Sequence, residues 1–156
     1  MKIFLSYSLN DNEQYVLILL AEKIKQEGHT IVTSYQNTID GNTLALIEKT
    51  HIFIGLITSE SINTNKVLGE WKYALSKSTP SLLLIEDNII LNDEILEKTH
   101  NSNIVRFNKR SPETAISFVK QHINQIQGRE SNNASAAWLL GGAALIVLIA
   151  LLAKKK

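Results

Sequence analysis

The fold of this chain is constrained most strongly by two short runs of almost entirely apolar residues, His51–Thr58 and Ser81–Ile85. Strands that are buried on both faces have this pattern, and they occur in parallel sheets that are covered by helices on both sides. A helical pattern near Asn63–Lys77 separates the two runs, and Pro80 follows it. This segment therefore predicts a strand, a helix and a second strand of one parallel sheet.

The rest of the first 127 residues repeats this alternation. Further strands are predicted at residues 2–6, 30–33 and 103–107, and further helices at residues 11–27, 43–49, 92–98 and 112–127. Gly28 is a stop signal for the first helix, and Ser111 with Pro112 is a start signal for the last one. The alternation predicts an α/β fold with a five-stranded parallel sheet and helices on both faces.

The last 21 residues differ in character from the rest. Residues 136–153 (AAWLLGGAALIVLIALLA) contain no charged side chain, and three lysines follow them. A helix of this length rises about 27 Å, close to the roughly 30 Å hydrocarbon core of a bilayer. We therefore expect a C-terminal transmembrane helix, with Trp138 and the lysines as interfacial anchors. A buried amphipathic helix is the alternative, although no polar face can be drawn through these residues.

These features predict a globular domain at residues 1–127, a linker at 128–135, a transmembrane helix at 136–153 and a basic tail at 154–156. The N-terminus has no signal-peptide pattern, so we expect a single-pass C-terminal anchor with the domain in the cytoplasm. The positive-inside rule instead favours a cytoplasmic position for the three lysines. Three lysines are a short segment to translocate, so the expected orientation keeps the domain in the cytoplasm.

Composition excludes several classes of site. The chain has no cysteine, which excludes disulfides, thiolate nucleophiles and cysteine-ligated metals. Its four histidines are scattered without the helical spacing of metal ligands, so we expect no metal. The formal net charge is +1, and no basic stretch is interleaved with aromatic residues. Nucleic acid is therefore not an expected partner.

Polar, hydroxyl-rich segments follow the first three predicted strands, at residues 6–11, 34–42 and 59–70. Ligands of such sheets bind outside the carboxyl ends of the strands. Glu70 is the carboxylate best placed to project from the third helix toward these segments. Spacing alone also fits an exposed Lys66–Glu70 helix pair worth about 0.3–0.5 kcal/mol. Likewise, Asp11 fits a helix N-cap as well as a ligand-binding residue.

Four short motifs resemble the TIR (Toll/interleukin-1 receptor) domain family, in its order and at its spacing. They are IFLSYS at 3–8 with Asp11, Asp40-Gly41, IGLITS at 54–59 with Ser61, and Val67-x-x-Glu70-x-x-x-Ala74-Leu75. The resemblance covers about residues 1–126 and implies the flavodoxin-like TIR fold. Two positions depart from the family: Lys66 stands where many members have tryptophan, and Ser8 where a basic residue is common.

The resemblance also implies a function. In members that cleave NAD, the glutamate matched by Glu70 is the catalytic residue, and the loop that contains Asp40-Gly41 is the BB loop. Glu70 is therefore the implied catalytic residue, and the implied substrate-binding residues are Ser6, Tyr7, Ser8, Asp11, Tyr35, Asn37 and Gly41. NAD would be the substrate, without a further cofactor. One carboxylate suits this reaction, because nicotinamide leaves as a neutral group and the ribosyl cation needs negative charge nearby.

The expected protein is thus a membrane-anchored NAD+ glycohydrolase or ADP-ribosyl cyclase. It would release nicotinamide and ADP-ribose or a cyclic isomer, in bacterial defence signalling. Family members commonly complete their site when neighbouring domains assemble, so the resemblance implies activation by self-association through TIR–TIR contacts. Anchoring through residues 136–153 would favour this association by raising the local concentration.

Two other functions fit the same sequence. One is a TIR interaction module that binds partners at the membrane without catalysis. The other is an N-glycosidase related to the nucleoside deoxyribosyltransferases, which has a similar architecture and carboxylate chemistry but needs no anchor. A receiver domain is disfavoured, because Thr58 ends the central strand where a phospho-accepting aspartate is required.

Overall fold

The computed structural model describes residues 1–8, 14–34, 38–91 and 103–131, with residues 129–131 described as backbone only. Five parallel strands form one sheet in the order β2-β1-β3-β4-β5. The strands are β1 (Lys2–Tyr7), β2 (Thr30–Val32), β3 (Ile52–Ile57), β4 (Ser81–Glu86) and β5 (Ile104–Phe107). The predicted five-stranded parallel sheet is therefore confirmed.

Four helices connect and follow these strands within the described ranges. They are α1 (Tyr15–Gln26), α2 (Gly41–Glu48), α3 (Thr64–Ser76) and α4 (Glu113–Ser131). Alternate strand residues point to opposite faces of a sheet, so the sheet has two separate apolar layers. Helices α1 and α4 pack on the layer that contains Ile54, and α2 and α3 pack on the layer that contains Phe53. The prediction of helices on both faces is also confirmed.

Three helix boundaries differ from the sequence prediction. Helix α1 begins at Tyr15, after an N-cap residue, Gln14, that makes no side-chain capping bond. Helix α2 begins at Gly41, because the Asp40 carboxylate accepts a hydrogen bond of 2.7 Å from the Thr43 amide. Helix α4 runs to Ser131 instead of Gln127, so the first four residues of the predicted linker are helical.

Helix α1 ends as the sequence predicts. Gly28 has a φ of +82°, a left-handed conformation that suits glycine far better than residues with a side chain. The chain then enters β2, which pairs with β1 on the side away from β3. The chain next crosses to β3 on the other side of β1, so the connections leaving β1 and β3 diverge. In sheets of this kind, ligands bind at such a switch point, outside the carboxyl ends of the strands.

Several predicted segments lie outside the described residues. They are the helix at 92–98, the end of the linker at 132–135, the transmembrane helix at 136–153 and the basic tail at 154–156. Among the residues that are described, no helix has the length and apolar character needed to cross a membrane.

Candidate active site at the carboxyl ends of β1 and β3

Glu70 lies in the second turn of α3 and is fully buried, with 0% of its surface exposed. The N-cap of this helix is Asn63, whose side-chain oxygen accepts a hydrogen bond of 3.0 Å from the Lys66 amide. Val67 and Trp71, on the same helix, are buried in the core against the sheet. This packing fixes the rotation of α3 about its axis and directs Glu70 toward the end of β1.

Ser6 is the nearest partner of this carboxylate. Its hydroxyl donates a hydrogen bond of 2.5 Å to Oε2 of Glu70, and the serine itself is 1% exposed. A hydroxyl that donates to an ionised carboxylate forms one of the stronger hydrogen bonds found in proteins. The structure therefore brings together the end of β1 and the start of α3 around a buried carboxylate.

Lys66 occupies the other side of the same carboxylate. Its Nζ lies 3.1 Å from Oε1 of Glu70, and the two side chains are 2% and 0% exposed. Oε1 accepts no well-aligned hydrogen bond from any described residue, so the contact is an ion pair. The Lys66 ammonium also donates to the Tyr7 carbonyl at 3.4 Å. The interpretation of Lys66 and Glu70 as an exposed helix pair is therefore wrong, because this part of α3 packs against the end of β1.

Ser8 connects the segment after β1 to the loop between β3 and α3. Its hydroxyl accepts a hydrogen bond of 3.0 Å from the Asn63 amide, and its carbonyl accepts one of 2.7 Å from the Ile62 amide. Ser6, Tyr7 and Ser8, which the sequence predicts as site residues, thus lie together around Glu70 and its helix. Ser8 is 5% exposed, and the contacts above give it a positioning role.

The remaining predicted site residues are Asp11, Tyr35, Asn37 and Gly41. Asp11, Tyr35 and Asn37 lie outside the described residues. Gly41 is an exposed first residue of α2, and a Cβ placed on it would have no described atom within 4 Å. The loop before α2 nevertheless reaches α3, because the Ile39 side chain occupies the space that a Cβ would need on Gly69.

One cleft of the structure was not predicted from the sequence. It lies at the carboxyl ends of β3, β4 and β5, has a volume of about 340 Å³, and is lined by Ser59, Glu86, Asp87, Asn88, Asn108, Lys109 and Arg110. Oε2 of Glu86 accepts hydrogen bonds from the Ser59 amide (2.7 Å) and hydroxyl (2.8 Å). The carboxylate at the end of SLLLIE was the available signal, since polar residues at strand ends often face ligands.

No group of three or more metal-ligating side chains lies together within the described ranges. The Glu70 site contains one buried carboxylate, one hydroxyl donor and one ammonium group. A carboxylate held in this way can stabilise a developing positive charge or accept hydrogen bonds from ligand hydroxyls.

Comparisons with known proteins agree with the architecture. No protein-family model matches the sequence, and no curated protein matches it. Among solved structures, the fold is similar to that of the CMP N-glycosidase BcmB of Clostridium botulinum. The TM-score is 0.55, over 78% of this chain and 99% of that one, at 13% sequence identity. This likeness shows the α/β fold, and membership of the TIR family stays a prediction.

Proposed function

We propose that this chain cleaves the N-glycosidic bond of a nucleotide and that Glu70 stabilises the ribosyl cation formed in the reaction. The observation that supports this most directly is the burial of the Glu70 carboxylate at the switch point of the sheet, with the Ser6 hydroxyl bonded to it. Further support comes from the similarity in fold to a CMP N-glycosidase.

The bond that breaks joins C1′ of the ribose to a nitrogen of the base. Its electron pair leaves with the base, and the positive charge is shared by C1′ and the ring oxygen of the ribose. A carboxylate near this cation lowers the energy of the transition state. A water molecule then adds its oxygen to C1′ and loses a proton, which completes the hydrolysis. This proton goes to the departing base when the base leaves as an anion, and to solvent when the base leaves as a neutral molecule.

NAD is the substrate favoured by the resemblance to the TIR family. Its nicotinamide ring is already cationic and leaves as a neutral molecule, so the reaction requires no general acid. Hydrolysis gives nicotinamide and ADP-ribose, and capture of C1′ by the adenine of the same molecule gives a cyclic isomer. We further propose that self-association activates the domain and that residues 136–153 anchor it in a membrane.

The test uses the full chain reconstituted on liposomes, with NAD and CMP supplied separately and base release followed by chromatography. We expect release from at least one of them, and a reduction of roughly 100-fold or more in Glu70→Gln. Glu48→Gln is the matched control, because Glu48 is an exposed carboxylate on α2 that pairs with Lys77. Release that persists unchanged in Glu70→Gln would exclude the proposed role of Glu70.

A non-catalytic interaction module is the second candidate function. The observation in its favour is the ion pair with Lys66, which partly neutralises the carboxylate and gives Glu70 a structural role. This candidate predicts self-association on liposomes, measured by crosslinking, without base release from either compound. It also predicts that Glu70→Gln affects stability and leaves association unchanged.

A further inference from the structure

The Lys66 ammonium has few alternatives to its present partner. It lies 3.1 Å from Glu70 and 3.4 Å from the Tyr7 carbonyl, and its side chain is 2% exposed. Among the described residues, no ion pair joins Lys66 to an acidic side chain other than Glu70. The charge of Lys66 therefore depends on the Glu70 carboxylate.

Substrate binding would disturb this pair. If the Glu70 carboxylate turns toward the ribose, as its proposed role at the ribosyl cation requires, its oxygens move away from Lys66 and the attraction between the two charges weakens. A buried ammonium that loses its counterion is strongly destabilised, because the low-dielectric interior does not solvate it as water does. A ligand that carries an anion of its own would compensate Lys66 for this weakening.

The 5′-phosphate is the anion that a nucleotide carries on the same ribose as the scissile bond. It would also correct the electrostatics of catalysis, because an ammonium beside the carboxylate opposes the stabilisation of a ribosyl cation. A phosphate bound to Lys66 cancels that effect and leaves the site with net negative charge. Lysine is a common phosphate ligand in proteins and binds as a compact positive charge.

We propose that Lys66 binds the 5′-phosphate of the substrate and thereby restricts the site to ribosyl phosphates, excluding free nucleosides. This inference rests on the proposed function, since it assumes that the ribose binds at Glu70. Its distinctive element is an exchange of partners, in which the ammonium moves from the Glu70 carboxylate to the phosphate. The carboxylate is thereby released only when the correct class of substrate is present.

The kinetic test compares matched substrates that differ only in the phosphate, namely nicotinamide mononucleotide with nicotinamide riboside, and CMP with cytidine. We expect kcat/KM to favour the nucleotide by roughly 100-fold or more in the unmodified protein. The preference should fall toward one in Lys66→Met and persist in part in Lys66→Arg. Lys77→Met is the control, since Lys77 lies on the same helix in an exposed ion pair with Glu48.

A binding test makes the outcome independent of turnover. Ribose 5-phosphate and ribose are titrated calorimetrically into the unmodified protein and into Lys66→Met. If Lys66→Met does not fold, the double variant Lys66→Met/Glu70→Gln replaces it, because this variant removes both buried charges. Tighter binding of the phosphate form that is lost in the variants supports the inference, even if no base is released and the proposed function fails. An equal nucleotide preference in Lys66→Met and the unmodified protein, or unchanged phosphate binding, would overturn it.

Discussion

Ser6 and Glu70 are 64 positions apart in the sequence, and the Ser6 hydroxyl donates a hydrogen bond of 2.5 Å to the Glu70 carboxylate. The bond joins the end of β1 to the second turn of α3. Because both residues are almost completely buried, neither can exchange its partner for water without a rearrangement of this region. The stability of the fold and the chemistry of the proposed site are therefore linked through the same side chains.

Removal of the Glu70 carboxylate should destabilise the fold. Glu70→Ala leaves the buried Lys66 ammonium without its counterion, and we expect the free energy of unfolding to fall by about 3–5 kcal/mol. Urea denaturation followed by circular dichroism measures the change. The double variant Glu70→Ala/Lys66→Met should recover at least about 1 kcal/mol relative to the sum of the single changes. Additive effects would show that the two charges are not coupled.

Loss of the Ser6 hydroxyl should also lower the free energy of unfolding, but by less than loss of the Glu70 carboxylate. Ser6→Ala removes a hydrogen bond to a charged group, and we expect a decrease of about 1.5–3 kcal/mol in the free energy of unfolding. Ser76→Ala is the control, because the exposed Ser76 hydroxyl donates only to the Tyr73 carbonyl of its own helix. Equal denaturation midpoints for the two variants would argue against a strong Ser6–Glu70 bond.

Replacement by alanine should lower the stability of the protein at Gly55 and raise it at Gly128. A Cβ on Gly55, in the central strand β3, would lie 2.8 Å from the Leu83 Cδ1 and 3.1 Å from the Val67 Cγ1. We expect Gly55→Ala to lower the free energy of unfolding by about 1–3 kcal/mol through overpacking. Gly128 lies within α4 with no described atom within 4 Å of such a Cβ, so Gly128→Ala should increase stability by up to about 1 kcal/mol. Thermal denaturation of both variants tests the pair.

The stability of the protein should fall at mildly acidic pH because of His29. Burial lowers the pKa of the His29 imidazole below its usual value, and its Nε2 has no hydrogen-bond partner among the described residues. The unfolded chain therefore binds a proton more readily than the folded one. Stability from this residue is present above the usual pKa of about 6.5 and is lost as pH falls through the lower folded pKa.

The measurement is the Tm of the unmodified protein and of His29→Gln between pH 8 and about pH 5. The unmodified protein should lose more stability over this range, because glutamine does not titrate. Parallel pH profiles for the two proteins would mean that His29 has no unfavourable protonation in the folded state.

Much of the fold could be predicted from the sequence because the relevant signals are local. The apolar runs around Phe53 and Leu83 identify strands that are covered on both faces, and Gly28 marks the end of a helix. Asp40 shows the limit of local signals. A turn and a helix N-cap favour the same residue types, so the sequence suggested a loop where α2 begins.

The site was predictable only in part. The sequence by itself determined which side chains follow the strands, and the family resemblance selected Glu70 among them. Tertiary structure decided that Lys66 and Glu70 form a buried pair, because a spacing of four residues is the same on an exposed helix face and on a covered one. It also decided that Glu86 and Ser59 meet across neighbouring strands. Burial and charge pairing depend on the strand order β2-β1-β3-β4-β5, which brings distant segments together and which no local pattern specifies.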